Sequence, residues 1–90
     1  MSCGAETAKR FDKQALTAAL AALDDTARFG TVLRAKGIVA GTQDTWLHFD
    51  YVPGEGDVRE GSPSIIGRLC VIGADLNLPA LSALLGAELK

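Results

Sequence analysis

Five polar or aromatic side chains fall in two neighbouring stretches of the chain that both alternate between apolar and polar residues. Residues 31–40 carry two cations two positions apart, and residues 45–52 carry a tryptophan, the only histidine and an aspartate at the same spacing. Successive side chains of a strand point to opposite faces, so each set shares one face of its strand. A hairpin through the turn-forming residues 41–44 would bring both sets to one surface. The predicted interaction surface is Arg34, Lys36, Trp46, His48 and Asp50.

Two interpretations of this surface remain open from the sequence. Arg34 and Lys36 on one strand and Asp50 on the next are suited to cross-strand charge pairing on a solvated face, at about 0.2–1 kcal/mol for each pair. Alternatively, an exposed sheet face with Trp46 beside the charges is typical of a contact surface, where aromatic residues and arginine are enriched. The second interpretation predicts that another molecule binds here.

Metal binding is a further use that these residue types suggest. His48 and Asp50 point the same way along one strand, and Cys3 is a third candidate ligand from the N-terminus. A protein metal site usually needs several convergent imidazole, thiolate or carboxylate groups, and the spacing does not require these three to converge. We therefore predict no metal site and no cofactor, and keep His48, Asp50 and Cys3 only as weak candidates.

Catalytic and nucleotide-binding motifs are not found in the sequence. No Gly-x-x-x-x-Gly-Lys-Ser/Thr segment occurs, so the loop that would hold phosphates is missing. The glycine-rich residues 54–61 include three acids that would repel phosphate, and no helical pattern follows them. Neither Cys3 nor Cys70 has an identifiable base and orienting group. The chain on its own is not expected to be an enzyme.

Size and charge exclude several classes of protein. The 90 residues, 48% of them hydrophobic, suffice for one domain with a single core. A net charge of -2 gives no general attraction to nucleic acid or anionic lipid. No apolar stretch is long enough for a membrane span or a signal peptide, and two distant cysteines do not suggest a disulfide framework. We expect a soluble, cytoplasmic protein that binds neither nucleic acid nor membrane.

Two helices are predicted from apolar residues that recur at helical spacing. The first should extend from about Lys13 to about Arg28, with Asp12 as its N-cap and Gly30 at its end. The second should begin after Asn77, as its N-cap, and end at Gly86.

The strands are predicted from alternation and from short apolar runs. In residues 31–40 we expect Leu33 on the inner face with Ala35, Gly37 and Val39, and Val32 on the outer face. Residues 57–60 are a weak edge-strand candidate, and residues 1–9 should form either an edge strand or a disordered N-terminus. Residues 67–73 are apolar on both faces, as in a central strand covered on both sides, which would bury Cys70.

These elements predict an α+β fold. Short hairpin connections favour a mostly antiparallel sheet of four to five strands, and the simplest packing places both helices on one face as a two-layer sandwich. The opposite face of the sheet would then be open, with the predicted interaction surface on it.

Four short segments, in their order along the chain, resemble the C-terminal domain of the CobW family of metal-linked GTPases. They are Arg10-Phe11 with Leu16 in the following helix, Gly30 to Gly37 with its Arg34-Ala35-Lys36-Gly37 end, Arg68 to Leu76 with its Ile72-Gly73, and the helical segment Leu78 to Leu85. The family has a proline between the arginine and phenylalanine of the first segment, which is absent here. The resemblance extends from about Arg10 to about Leu85, nearly the whole chain, and residues 1–90 are expected to form a single domain of this kind.

The resemblance implies a role and a set of partners that the residues alone do not give. It implies a non-catalytic interaction or regulatory module in a family linked to cobalamin or corrinoid synthesis and to metal delivery. Its partner would be another protein, such as a separate GTPase or a metalloenzyme, or a second copy of itself. The family's nucleotide site and cysteine-rich metal motif belong to the GTPase half and do not transfer. The alternative is a protein that binds a small molecule or metal ion on the open sheet face.

Overall fold

The computed structural model describes residues 1–90, which form six strands and three helices. The strands are β1 (Ser2–Thr7), β2 (Arg10–Phe11), β3 (Thr31–Gly41), β4 (Trp46–Val52), β5 (Glu55–Gly61) and β6 (Gly67–Ala74). The helices are α1 (Lys13–Ala22), α2 (Thr26–Phe29) and α3 (Leu78–Leu85). The third helix begins after its Asn77 N-cap and ends at Gly86, as the sequence predicts.

The long strands form one sheet in the order β1-β6-β3-β4-β5, and every pairing among them is antiparallel. The two-residue strand β2 pairs in parallel with the end of β3, where Arg10 lies beside Ala40. The predicted α+β fold with a mostly antiparallel sheet is confirmed. Residues 1–9 supply the edge strand β1, and β5 forms the other edge.

All of the hydrophobic core lies on one face of the sheet. Alternate residues of β4, namely Leu47, Phe49 and Tyr51, are at most 2% exposed and belong to the same core as the helix residues Leu20 and Leu81. The intervening residues of β4 are only half-buried or exposed. The helices therefore cover one face, and we call the other the open face.

A β-bulge in β3 reverses one part of the predicted pattern. The pairing of β3 with β6 shifts between Val32 and Arg34, which leaves Leu33 as an extra residue. Val32 consequently turns into the core at 2% exposure, while Leu33 is 54% exposed. The prediction that Leu33 faces inward and Val32 outward was wrong, because strict alternation cannot anticipate an inserted residue. Beyond the bulge, Ala35 and Val39 are buried as predicted.

The first predicted helix is divided in two. Asp12 caps α1 by accepting a hydrogen bond from the N–H of Ala15 (3.0 Å), as predicted, but α1 ends at Ala22. Asp25 then caps the short helix α2 by accepting from the N–H of Arg28. Two consecutive aspartates favour a new N-cap over a continued helix. None of the three helices has the length and apolar composition needed to cross a membrane.

Strand β6 is central but is covered on one side only. It lies between β1 and β3, with Leu69 and Val71 in the core. Its other face is part of the open face, where Ile72 is 41% exposed and Cys70 is half-buried. The prediction of a strand covered on both faces, with Cys70 fully buried, was therefore wrong. Apolar residues on both sides of this strand reflect an exposed apolar region rather than a second layer.

Asp24, between α1 and α2, connects the helical layer to the β4–β5 hairpin. Its carboxylate accepts hydrogen bonds from the Tyr51 hydroxyl and from the N–H of Gly54, which together lower the pKa of Asp24. Burial of the phenol, with the nearby Asp24, raises the pKa of Tyr51 to about 12. At neutral pH the hydrogen bond therefore joins an ionised Asp24 carboxylate to a neutral Tyr51 hydroxyl.

This connection should make stability depend on pH at both extremes. Asp24 contributes above its unfolded pKa of about 4, and its contribution is lost as pH falls through the lower folded pKa. Tyr51 contributes fully below its unfolded pKa of about 10, and its contribution is lost as pH rises toward the folded value. Tyr51→Phe should lower the free energy of unfolding by about 1 kcal/mol at neutral pH and remove the alkaline loss. Urea unfolding measured across pH, with Glu55→Gln as the control, checks this; an unchanged alkaline profile would contradict it.

Candidate functional site

The structure brings the five residues of the predicted interaction surface together on the open face. In the register of β3 with β4, Lys36 lies opposite Asp50, Ile38 opposite His48 and Ala40 opposite Trp46. Arg34 and Lys36 are exposed, whereas the other three are half-buried. The neighbouring strands β1, β5 and β6 supply further side chains to the same face.

The register of all five long strands arranges the centre of the open face in two rows. One row runs through Cys70, Lys36, Asp50 and Asp57, and the next through Glu6, Arg68, Ile38, His48 and Arg59. Directly opposite side chains on one face are close enough to interact. The middle of the face therefore combines apolar groups from β3 and β6 with charges from all of the strands.

Asp50 is held between two arginines. Its carboxylate lies 3.8 Å from Arg34 and 3.0 Å from Arg59, and Arg59 also lies 2.7 Å from Asp57. The hydrogen bond to Asp50, which has the larger effect, and the hydrogen bond to Asp57 raise the pKa of Arg59. The cross-strand pairing weighed from the sequence thus exists for Arg34 and Asp50, with Arg59 as the nearer partner.

Lys36 forms no ion pair, although it lies opposite Asp50 in the register. The arginines on either side already occupy the oxygen atoms of Asp50. On β6, the other neighbour of β3, Arg68 is paired with Glu6 at 3.1 Å, and Glu6 forms no ion pair with Lys36. The ammonium of Lys36 is therefore available to an external anionic group, beside the half-buried Cys70 and Ile38.

His48 is fixed in one orientation. Its Nε2 lies 2.9 Å from the carbonyl oxygen of Ser62, and because a carbonyl can only accept, Nε2 carries the proton and donates. The ring lies against Gly61, where a Cβ would come within 2.6 Å of Nε2. Only Nδ1 of His48 is left to accept from, or bind to, another molecule.

The weak metal candidates do not form a cluster. No group of three or more His, Cys, Asp or Glu side chains is arranged to hold a metal ion. Cys3 lies in the edge strand β1, on the core face at 4% exposure, opposite the face that carries His48 and Asp50. Burial, with a contribution from Cys70, also raises the pKa of the Cys3 thiol. Cys3 therefore cannot join His48 and Asp50 without unfolding β1.

The centre of the open face is a shallow depression of about 990 Å³. Lys36, Ile38, His48, Arg68 and Cys70 contribute to its lining. Ile72, which lies opposite Arg34 in the register of β3 with β6, is 41% exposed, and the bulge residue Leu33 is 54% exposed. Within the lining, Ile38 and Cys70 are apolar and Lys36 is an unpaired cation, so the depression has an apolar and a positive part.

Several charged residues of this surface were not anticipated from the sequence. Arg59 and Asp57 lie in β5, which gave only a weak strand pattern, and Arg68 lies in β6, which was expected to be covered. The alternation of Asp57 and Arg59 with Gly56 and Val58 was the available signal for β5. We use "open-face site" for the predicted surface together with Glu6, Asp57, Arg59 and Arg68.

The fold and the open-face site define a small α+β domain with one uncovered sheet face. Comparison with known protein families shows which family the domain belongs to. A family model described as the cobalamin synthesis protein cobW C-terminal domain matches residues 1–89. The chain belongs to this family, whose members are accessory domains of GTPases. The resemblance noted from the four sequence segments is thereby confirmed.

Solved structures support the fold. The zinc-bound YjiA GTPase from E. coli superposes with a TM-score of 0.76 at 19% sequence identity, over 94% of this chain and 28% of that chain. A zinc-bound triple mutant of the YjiA GTPase gives the same values. At this identity the likeness shows a shared fold, and the chain corresponds to just over a quarter of the GTPase. No curated protein matches the sequence.

Proposed function

We propose that this domain is a non-catalytic interaction module whose open-face site binds a protein partner. The observation that carries the proposal is the combination of exposed Ile72 and Leu33 with the unpaired Lys36 on a sheet face that no other element covers. Apolar groups left exposed and adjacent to an unneutralised charge are typical of surfaces that become buried on association. The partner surface should therefore present an apolar patch next to a carboxylate.

The partner that best fits the family is a separate nucleotide-binding GTPase or a metalloenzyme. The chain spans 28% of the YjiA GTPase it resembles, and residues 1–90 contain no phosphate-binding loop. A domain of this kind would regulate a partner that carries the nucleotide or the metal. A role in cobalamin or metal handling is part of this proposal and follows from the family alone.

The depression favours a second candidate, the binding of a small anionic molecule. Its volume of about 990 Å³ is within the range of ligand sites, and Lys36 and His48 Nδ1 can provide polar contacts. Ligand sites usually enclose most of the ligand, however, and this depression is shallow. A metal ion is disfavoured because no set of three ligands is present.

Native mass spectrometry of the purified protein, followed by titration with a GTPase domain of the CobW family from the same genome, separates the two candidates. The interaction module predicts no bound small molecule and a saturable change in the emission of Trp46, the chain's only tryptophan. A stoichiometric copurified ligand, with no response to the GTPase domain, would overturn the first candidate in favour of the second.

A further inference from the structure

The two edges of the sheet differ in how their backbone groups are used. At the β1 edge, the N–H of Gly4 donates to the carbonyl of Lys90 and the N–H of Lys90 donates to the carbonyl of Gly4, both at 3.1 Å. The C-terminus of the chain thus pairs with β1. No segment of the chain pairs with the outer edge of β5. Unpaired edges of this kind readily accept another strand.

The hairpin geometry shows which backbone groups of β5 point outward. The two-residue turn Pro53-Gly54 closes on the pair Val52 and Glu55, which exchange hydrogen bonds in such a hairpin. In an antiparallel ladder the hydrogen-bonded pairs alternate, so Glu55, Asp57, Arg59 and Gly61 bond to β4. The N–H and C=O groups of Gly56, Val58 and Glu60 therefore point away from the sheet.

We propose that two copies of this chain form a homodimer by pairing their β5 strands antiparallel, with the two-fold axis at Val58. In this register Val58 lies opposite Val58 of the second copy, and Gly56 lies opposite Glu60. These are the residues whose backbone groups point outward, so every outward N–H finds an acceptor in the other copy.

The charges of β5 complement one another in this register. Asp57 lies opposite Arg59 of the second copy, and Arg59 opposite Asp57, which gives two opposite-charge pairs on the same face as the open-face site. Glu60 and Glu55 each face a glycine, Gly56 or Gly61, so no like charges are directly opposed. Shifting the axis by one hydrogen-bonded pair, to Gly56 or Glu60, would lose this match.

The dimer does not depend on the proposed function. A two-fold axis perpendicular to the sheet keeps the open faces of both copies on the same side. At the seam, β5 contributes its outer backbone edge and the side chains of Asp57 and Arg59, whereas the proposed partner contacts centre on Lys36, Leu33 and Ile72. Association of the chain with itself and association of its open face with a partner can therefore succeed or fail independently.

Charge-reversed variants test the dimer in sedimentation velocity experiments over a concentration series. Asp57→Arg or Arg59→Asp alone should raise the dimer dissociation constant by about tenfold or more, because each replaces two attractive pairs with two repulsive ones. An equimolar mixture of the two variants should form a heterodimer, since all of the facing charges are again opposite. Arg28→Asp, in α2 on the helical layer, makes the same arginine-to-aspartate change away from β5 and is the matched control, which should dimerise like the unmodified chain.

Hydrogen exchange of the unmodified protein provides a second measurement that does not depend on the variants folding. Exchange at the amides of Gly56, Val58 and Glu60 should slow as protein concentration rises, whereas the amide of Leu33 should not respond. A monomer at every concentration would overturn the proposal. So would a dimer that both reversals leave intact, or a mixture of the reversed variants that remains monomeric.

Discussion

Gly30→Ala should destabilise the domain by about 3 kcal/mol or more, because it combines backbone strain with a collision. Gly30 has φ 84° and ψ -175°, a region that is essentially restricted to glycine. A Cβ there would also come within 2.2 Å of the carbonyl oxygen of Asp75 and 2.9 Å of the Cα of Leu76. These are backbone atoms that cannot move aside without displacing the segment between β6 and α3. Urea unfolding and thermal melting measure the effect.

Gly54→Ala is the matched control for the collision. Gly54 has a similar φ of 79°, but a Cβ there would meet nothing within 4 Å. We expect it to cost only the strain of a left-handed backbone, about 1 kcal/mol. The difference between the two variants reports the collision of Gly30 with Asp75 together with the more restricted φ/ψ region of Gly30. Equal destabilisation would contradict this account of why the chain has glycine at the start of β3.

Replacing both Arg34 and Lys36 with alanine should weaken binding to a CobW-family GTPase domain by about thirtyfold or more. An arginine that acts as a hot spot of an interface contributes about 2 kcal/mol or more, and Lys36 is the unpaired cation of the open-face site. The stability of the domain should change little. The only ion pair lost, between Arg34 and Asp50 at 3.8 Å, is exposed, and Asp50 retains its ion pair with Arg59. Isothermal titration calorimetry of the two proteins measures the affinity.

The control for this prediction changes the same charge on the other side of the molecule. Lys13 and Arg28 lie in α1 and α2, so Lys13→Ala with Arg28→Ala removes two cations from the helical layer. Its affinity for the GTPase domain should remain close to that of the unmodified chain. Equal losses in both double variants would indicate long-range electrostatics rather than contact, and no loss in either would favour charge pairing alone as the role of Arg34.

Local signals were sufficient to predict much of the fold. Asp12 and Asn77 cap helices as expected, and the alternation in β4 assigned Leu47, Phe49 and Tyr51 to the core correctly. The bulge at Leu33 was not predictable from the sequence. Val32 and Leu33 are both apolar, so the local pattern does not show which of them faces the core, and the position of the bulge is set by pairing with the distant strand β6. Strand β1 was uncertain for the same reason: its pairing with β6 depends on residues sixty or more positions away.

The open-face site was predicted in part. The five residues of β3 and β4 were placed together because a single hairpin fixes their relation. The contributions of β5 and β6 depend on the order of strands in the sheet, which alternation within one strand does not contain. The unpaired state of Lys36 could not be inferred either. It results from the competition of Arg34 and Arg59 for Asp50, and Arg59 approaches only through β5.

Side-chain NMR of the labelled domain bound to a CobW-family GTPase domain tests most directly whether the open face is the interaction surface. Methyl signals of Ile38 and Ile72 and the indole N–H signal of Trp46 report on the open face, whereas those of Ala18 and Leu84 report on the helical layer. We expect binding to shift or broaden the signals of Ile38, Ile72 and Trp46 and to leave those of Ala18 and Leu84 in place. Changes confined to Ala18 and Leu84 would contradict the account.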